Sequence, residues 1–496
     1  MTARPLQSGI GRGASGYAGI RSETDLLRTI VVAGGIIWSV LFVAIGLRYE
    51  LQLYGDGAMF SYSVAAQNAW AFHWHNISGR LTVYLLTLLP AESYVGLTGS
   101  PGGGITIYGF LFFASPLLGL IATFAADRSG GRIIFAYACC STACLCPLVF
   151  GFPTEMWIAH ALFWPTLAIA HYGMRGIRGT VLLFALLMAL ALTHEGALVL
   201  VAAIVGTLLP RGIKDKAFRR AAGASLAVLA VWAVIKVMLP PDPYFSDVLI
   251  RAGRDFFDPE NFTGNLLPLL FGAIAGYGAM LLILARLTPT RAHIYAATIV
   301  AVALVLYWLR LDHAVHAANR YYLRTILVLA TPVLGALATI YALQADGRLR
   351  LITKHLPRIM QAFASRTAAR AIAGAFMLVM LVHAVETAKF GAAWADYKAA
   401  VAALATGNLS DPELGDASFV SSDRIGADLN RMSWYSTTPY LSAVVANFAP
   451  RRLVVDPRAG NYFWLSCETA TSNLEADRAI PAKTRKLVRA YSCLHR

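Results

Sequence analysis

The feature that most constrains this chain is a succession of apolar runs, each about as long as a bilayer is thick. Ile30 to Gly46, Ile105 to Ala125 and Leu266 to Ala285 are examples. About 20 apolar residues in a helix cover the hydrocarbon layer. In lipid every backbone polar group must bond internally, which selects helices for runs of this length. The composition agrees: 57% of the residues are hydrophobic and 14% charged, where a soluble domain carries about 25% charged. The expected fold class is an all-α polytopic membrane protein with about eleven transmembrane helices and a small C-terminal extracytoplasmic α/β region.

Residues 1–28 are polar, Gly-rich and basic (Arg4, Arg12, Arg21, Arg28), with no apolar core of the kind a cleavable signal has. They read as a cytoplasmic tail. The net charge of +15 is spread over short loops between apolar runs: Arg128/Arg132, Arg175/Arg178, Arg211 to Arg220, Arg286/Arg291 and Arg348 to Arg370. That is a positive-inside bias facing anionic lipid. No basic face with stacking aromatics stands out, so nucleic acid is not an expected partner.

One piece, 81–97, is apolar but broken by Pro90 and Glu92. Taken as a span, it would put the later basic loops outside. Taken as a helix lying at the outer surface, it keeps them all cytoplasmic, and that is the assignment made. The spans are then 29–47, 105–125, 133–151, 156–174, 180–193, 196–209, 223–239, 266–285, 292–309, 322–343 and 371–388. The parity requires 180–209 to be two short helices turning at Thr193-His194-Glu195-Gly196; one tilted helix is the alternative. The organisation read from the chain is a tail (1–28), a transmembrane domain (29–388) with a first extracytoplasmic loop (48–104), and an extracytoplasmic domain (389–496). Short strands are expected at 418–421 and 452–455, and a helix over 427–432.

Cys139, Cys140, Cys144 and Cys146 fall inside one apolar span and read as packing. Cys467 and Cys493 lie in the polar C-terminal region and are disulfide candidates if that region is outside the cytoplasm.

Ionisable groups within or beside spans are expensive and hence candidates for function. On this topology Asp56, Glu155, His194, Glu195, Asp312, His313, His316 and Arg320 all fall on the outer side. Asp56 lies between Gly55 and Gly57, where the backbone can bend closely. Its carboxylate suits proton abstraction, a divalent cation, or the N-cap of a helix beginning at Ala58. His194-Glu195 fits a site or a hydrogen-bonded helix break. Glu155 fits a site or a cap. Arg80 and the Asn319-Arg320-Tyr321-Tyr322-Leu323-Arg324 stretch fit a forked contact to phosphate or an interfacial belt of arginine and aromatics. Trp70, Phe72, His73 and Trp74 suit an interfacial helix or a sugar-stacking wall. His313 and His316 can share a face, but no spacing fixes a third metal ligand.

The order of these features resembles the GT-C membrane glycosyltransferases, which draw on polyprenyl-phosphate sugars. It runs from a basic N-terminus and one span to a long outer loop opening with an acid. An interfacial helix, many spans and an outer soluble domain follow. Gly55-Asp56-Gly57 through Gly79-Arg80 looks like the family's first loop, and Arg320-Tyr321 before Leu323 to Ala336 like its late Arg-Tyr motif. Two departures are visible: Gly57 stands where the family often has a second acid, and Arg324 where a proline often follows. The resemblance implies Asp56 as base on an acceptor hydroxyl, with inversion. Arg320, Arg80 and Arg324 would hold the donor phosphate. Glu155, His194 and Glu195 would be further catalytic or orienting groups, and Trp70, His73, His313 and Tyr321 would line the substrate. The implied partners are a polyprenyl-phosphate sugar, a lipid or glycan acceptor and membrane lipids, in a bacterial-type inner membrane. No cofactor is required beyond a divalent cation at Asp56, which stays open. The competing readings are a transporter or flippase of a lipid-linked or anionic substrate, and a polysaccharide polymerase or ligase.

Overall fold

The computed structural model describes residues 13–70, 80–150, 155–173, 176–238, 250, 266–288, 291–310, 324–347, 366–407, 418–434, 437–456 and 480–493. The helices of the first half are α1 (Gly13–Tyr49), α2 (Asp56–Ala65), α3 (Leu81–Thr98), α4 (Pro101–Ala126), α5 (Ile133–Leu145), α6 (Met156–Tyr172), α7 (Gly176–Ala191), α8 (Ala197–Gly206) and α9 (Lys216–Met238). There follow α10 (Leu266–Leu287), α11 (Ala292–Arg310), α12 (Arg324–Ala345) and α13 (Arg366–Thr406). The C-terminal part holds β1 (Phe419–Ser421), α14 (Ala427–Asn430), α15 (Thr438–Val445), β2 (Leu453–Val455) and α16 (Ala482–Cys493).

Among the described residues, six helices are long and apolar enough to cross a membrane by length and composition: α1, α3, α4, α9, α12 and α13. A mostly helical chain with several such helices is consistent with an α-helical membrane protein. Helices α7 and α8 have 16 and 10 residues, about 24 and 15 Å, and neither alone matches a hydrocarbon layer of about 30 Å. The chain breaks between them at 192–196, as the two-helix reading requires. The backbone groups freed there find partners: Thr82 N–H donates to the Leu192 carbonyl (3.1 Å) and the Thr82 hydroxyl to that of Ala189 (2.7 Å).

The bundle packs closely where side chains are small. A Cβ on Gly119 of α4 would stand 2.5 Å from the Ala161 carbonyl oxygen of α6, so only glycine lets these helices approach so far. At one end of this contact an aromatic cluster fills the core. Phe42 of α1 lies 5.0 Å from Phe150 and 4.8 Å from Trp157, and Phe112 of α4 stacks 6.1 Å from Trp157.

Helix α3 has the lowest mean hydropathy of the six, 1.2. Its first turn follows Arg80, which meets residues at the N-terminal ends of α6 and α8. Its last turns pack on the beginning of α4, where a Cβ on Gly104 would strike Val95 and approach the Ala91 carbonyl. The length of α3 would suffice for a crossing. Pro90 explains its π-turn at Tyr84–Leu88: proline donates no N–H and its ring crowds the carbonyl four residues back, so the helix widens there. Leu85, Leu86, Leu89 and Leu97 remain exposed along it.

Helix α13 has 41 residues, about 60 Å, and runs well past the expected span at 371–388. Its distal half is rich in alanine, which keeps it helical. That half is pinned to the end of α1: Trp394 Nε1 donates to the Tyr49 carbonyl (3.1 Å), and Lys398 pairs with Glu50. The C-terminal elements sit on the same place. Strands β1 and β2 pair in parallel with Val420 opposite Val454, and α15 packs on β2. Tyr440 of α15 meets Tyr62 of α2 at 5.4 Å.

Candidate active site at one end of the bundle

Asp56 is the first residue of α2, and Gly55 before it has φ 59 and ψ −134. That conformation is open to glycine and strained for other residues. Gly55, not Asp56, occupies the N-cap position, and Asp56 lies in the first turn, where the helix dipole favours a carboxylate. The loop is held from behind by Tyr54, fully buried and edge-on to Phe390 (5.0 Å) and Trp394 (5.3 Å) of α13.

A chain of buried and half-buried ions is drawn from four segments. Arg80 Nη1 lies 2.5 Å from Glu155 Oε1, and Arg80 Nη2 lies 3.1 Å from Glu195 Oε2. The other oxygen of Glu195 lies 3.2 Å from Lys236 Nζ. The order is Glu155, Arg80, Glu195, Lys236, with signs alternating. Each member sits at a helix end: Arg80 just before α3, Glu155 just before α6, Glu195 in the turn before α8, and Lys236 in the last turn of α9. Tyr108 of α4 is buried within electrostatic reach of both Glu155 and Asp56.

The electrostatics follow from burial and pairing. Burial works against the Arg80 charge, but Glu155 and Glu195 outweigh it and hold the guanidinium more firmly charged than usual. Burial pushes Glu195 up, but Arg80, then His194 and Lys236, outweigh it and hold its carboxyl well below the usual carboxylate range. His194 lies 3.9 Å from Glu195, too far for a hydrogen bond. Its Nδ1 accepts the Gly196 N–H at 2.9 Å.

The structure thus brings together Arg80, Glu155, His194 and Glu195, while Asp56 shares with Glu155 an electrostatic influence on Tyr108. Trp70 lies at the edge of this region, 41% exposed and edge-on to Tyr84 of α3 at 4.7 Å. His73, His313, Arg320, Tyr321 and Cys467 lie outside the described residues. Arg324 opens α12 and Cys493 closes α16, but their side chains lie outside the description as well. Sequence reasoning missed Lys236 and Tyr108. For Lys236 the signal was present, a lysine inside the apolar run 223–239. Tyr108 carries no signal among the other aromatics.

Among the described residues, no group of three or more His, Cys, Asp and Glu side chains could hold a metal ion. Glu155 and Glu195 are turned to cations of the protein itself. What the arrangement offers is a carboxylate at a helix start and an ion chain of balanced charge. Compared with known proteins, the chain matches no protein-family model and no curated protein.

Proposed function

We propose that this chain is a membrane glycosyltransferase of the GT-C kind, moving a sugar from a polyprenyl-phosphate donor to an extracytoplasmic glycan or lipid acceptor. The observation that carries the reading is where the charges gather. Asp56, Arg80, Glu155, Glu195 and Lys236 all sit at helix ends, at the end of the bundle where the C-terminal elements pack. A transporter would instead be expected to carry its charges in mid-bundle.

In this proposal the chain crosses the bilayer eleven times (α1 and α4 to α13), with α7 and α8 as short crossings completed by the residues that flank them, and α3 lies along the outer surface. The N-terminus is cytoplasmic. The C-terminal elements form a small extracytoplasmic α/β domain of an inner-membrane protein. The acceptor hydroxyl gives its proton to Asp56 as its oxygen attacks the anomeric carbon. The bond from that carbon to the phosphate oxygen breaks, and polyprenyl phosphate leaves with the electron pair. The product is a glycoside of inverted configuration and a protonated Asp56. Arg320 and Arg324 hold the phosphate and stabilise the leaving charge. Arg80 holds Glu155 and Glu195 in place, and His194 orients the acceptor.

The test is transfer of a labelled sugar from polyprenyl phosphate by the purified protein in lipid. Wild-type protein should transfer it. Asp56→Asn, which keeps shape and removes the base, should be slower by about 100-fold or more. Full activity in Asp56→Asn would contradict the assignment.

A further inference from the structure

Lys236 stands in an otherwise apolar helix surface: Val231, Val234, Val237 and Met238 of the same turns are exposed. A cation in such a setting is retained where it has work to do with a partner. Its Nζ lies 3.2 Å from Glu195 Oε1 and 5.7 Å from the Trp232 ring centroid, one turn earlier on α9.

The geometry around Glu195 shows what that contact does. Arginine and a carboxylate left to themselves favour a fork, with two parallel N–H···O bonds. Here the fork is divided. Glu195 takes only Nη2 of Arg80, and Nη1 goes to Glu155. Lys236 occupies the Glu195 oxygen that the second tine would use. Without it, Glu195 offers both oxygens to Arg80, and the guanidinium turns toward it and away from Glu155.

We infer that Lys236 is a positioning residue: by holding Glu195 Oε1, it keeps Arg80 astride Glu155 and Glu195 and so fixes where the Glu155 carboxylate stands. Its consequence for catalysis rests on the glycosyltransferase reading above. The groups facing Glu195 are Arg80 from the segment before α3, His194 from its own turn and Lys236 from α9, with Glu155 reached through Arg80.

Two measurements on the full chain in lipid test this. The first is kinetic. Lys236→Met should lower kcat by about 10- to 100-fold with the donor KM within about two-fold of wild type. The loss of activity on acidification should begin at higher pH, because one of the cations keeping Glu195 ionised is gone. Lys236→Arg should restore kcat to within about three-fold. The second needs no activity: a double-mutant cycle in Tm between Lys236→Met and Glu155→Gln. Among the described residues these two are linked through Arg80 and Glu195, so a non-additivity of a few degrees reports the proposed placement of Arg80. Wild-type kcat and pH profile in Lys236→Met, or failure of Lys236→Arg to rescue, would overturn the inference, as would additive Tm changes. A non-additive cycle in a protein that transfers no sugar would uphold the placement of Arg80 and sink the glycosyltransferase reading instead.

Discussion

The two ends of this bundle use the same residue types for different purposes. At one end, acids meet buried cations: Glu155 and Glu195 share Arg80, and Glu195 also takes Lys236. At the other end, acids meet neutral donors. Asp127 accepts the N–H groups of Ser129 (2.8 Å) and Phe135 (2.9 Å) and closes the turn from α4 to α5. Asp346, after α12, accepts the Gly130 N–H (3.2 Å) and the Tyr172 hydroxyl (2.8 Å), tying three helix ends together. Of the arginines of that end, Arg132 rests over the Phe124 ring, Arg211 faces the Tyr172 ring and Arg220 donates to the Ile169 and Ala170 carbonyls. A carboxylate on backbone amides fixes a turn. One shared between buried cations holds charge in a place where charge is costly, and that costs stability unless the partners stay together. In the proposed function the first end is the one that does chemistry and the second is architecture.

The largest effect that could break this comparison comes from Arg80→Met. It leaves two buried carboxylates without their common cation and should cost about 3–5 kcal/mol in denaturant unfolding, where the chain tolerates it at all. A loss under about 1 kcal/mol would mean that the ion chain is an incidental contact. Glu195→Gln is smaller and depends on pH. The carboxyl of Glu195 is lower in the folded chain than in the unfolded one. Its contribution is therefore fully present above the ordinary carboxylate value near pH 4.3 and is lost as pH falls below it. Removing this group should flatten the fall in Tm on acidification below that pH; an unchanged slope would contradict the pairing. The smallest effect is expected from the other end. Arg178 is exposed on α7, and Arg178→Ala should stay within about 0.5 kcal/mol and leave transfer unchanged.

Much of the helical plan is legible in the sequence, because lipid leaves few options to a long apolar run. The break between α7 and α8 was legible from Thr193-His194-Glu195-Gly196. The full length of α13 was not: its polar second half reads as a new region, whereas alanine and the contacts of Trp394 and Lys398 with Tyr49 and Glu50 carry the helix on. At the site, Asp56 announced itself through its glycines. Arg80 was read as a phosphate contact or an interfacial anchor. Its partners lie 75 and 115 residues along the chain, and nothing local indicates them. Such pairs arise from packing, which composition and spacing do not encode.

The most direct test compares one acid from each end. Asp56→Asn and Asp127→Asn are measured side by side for sugar transfer and for Tm. The account predicts that Asp56→Asn loses transfer with Tm unchanged, and that Asp127→Asn lowers Tm by several degrees with transfer per folded molecule intact. The reverse pattern, or equal loss of transfer in both, would contradict it.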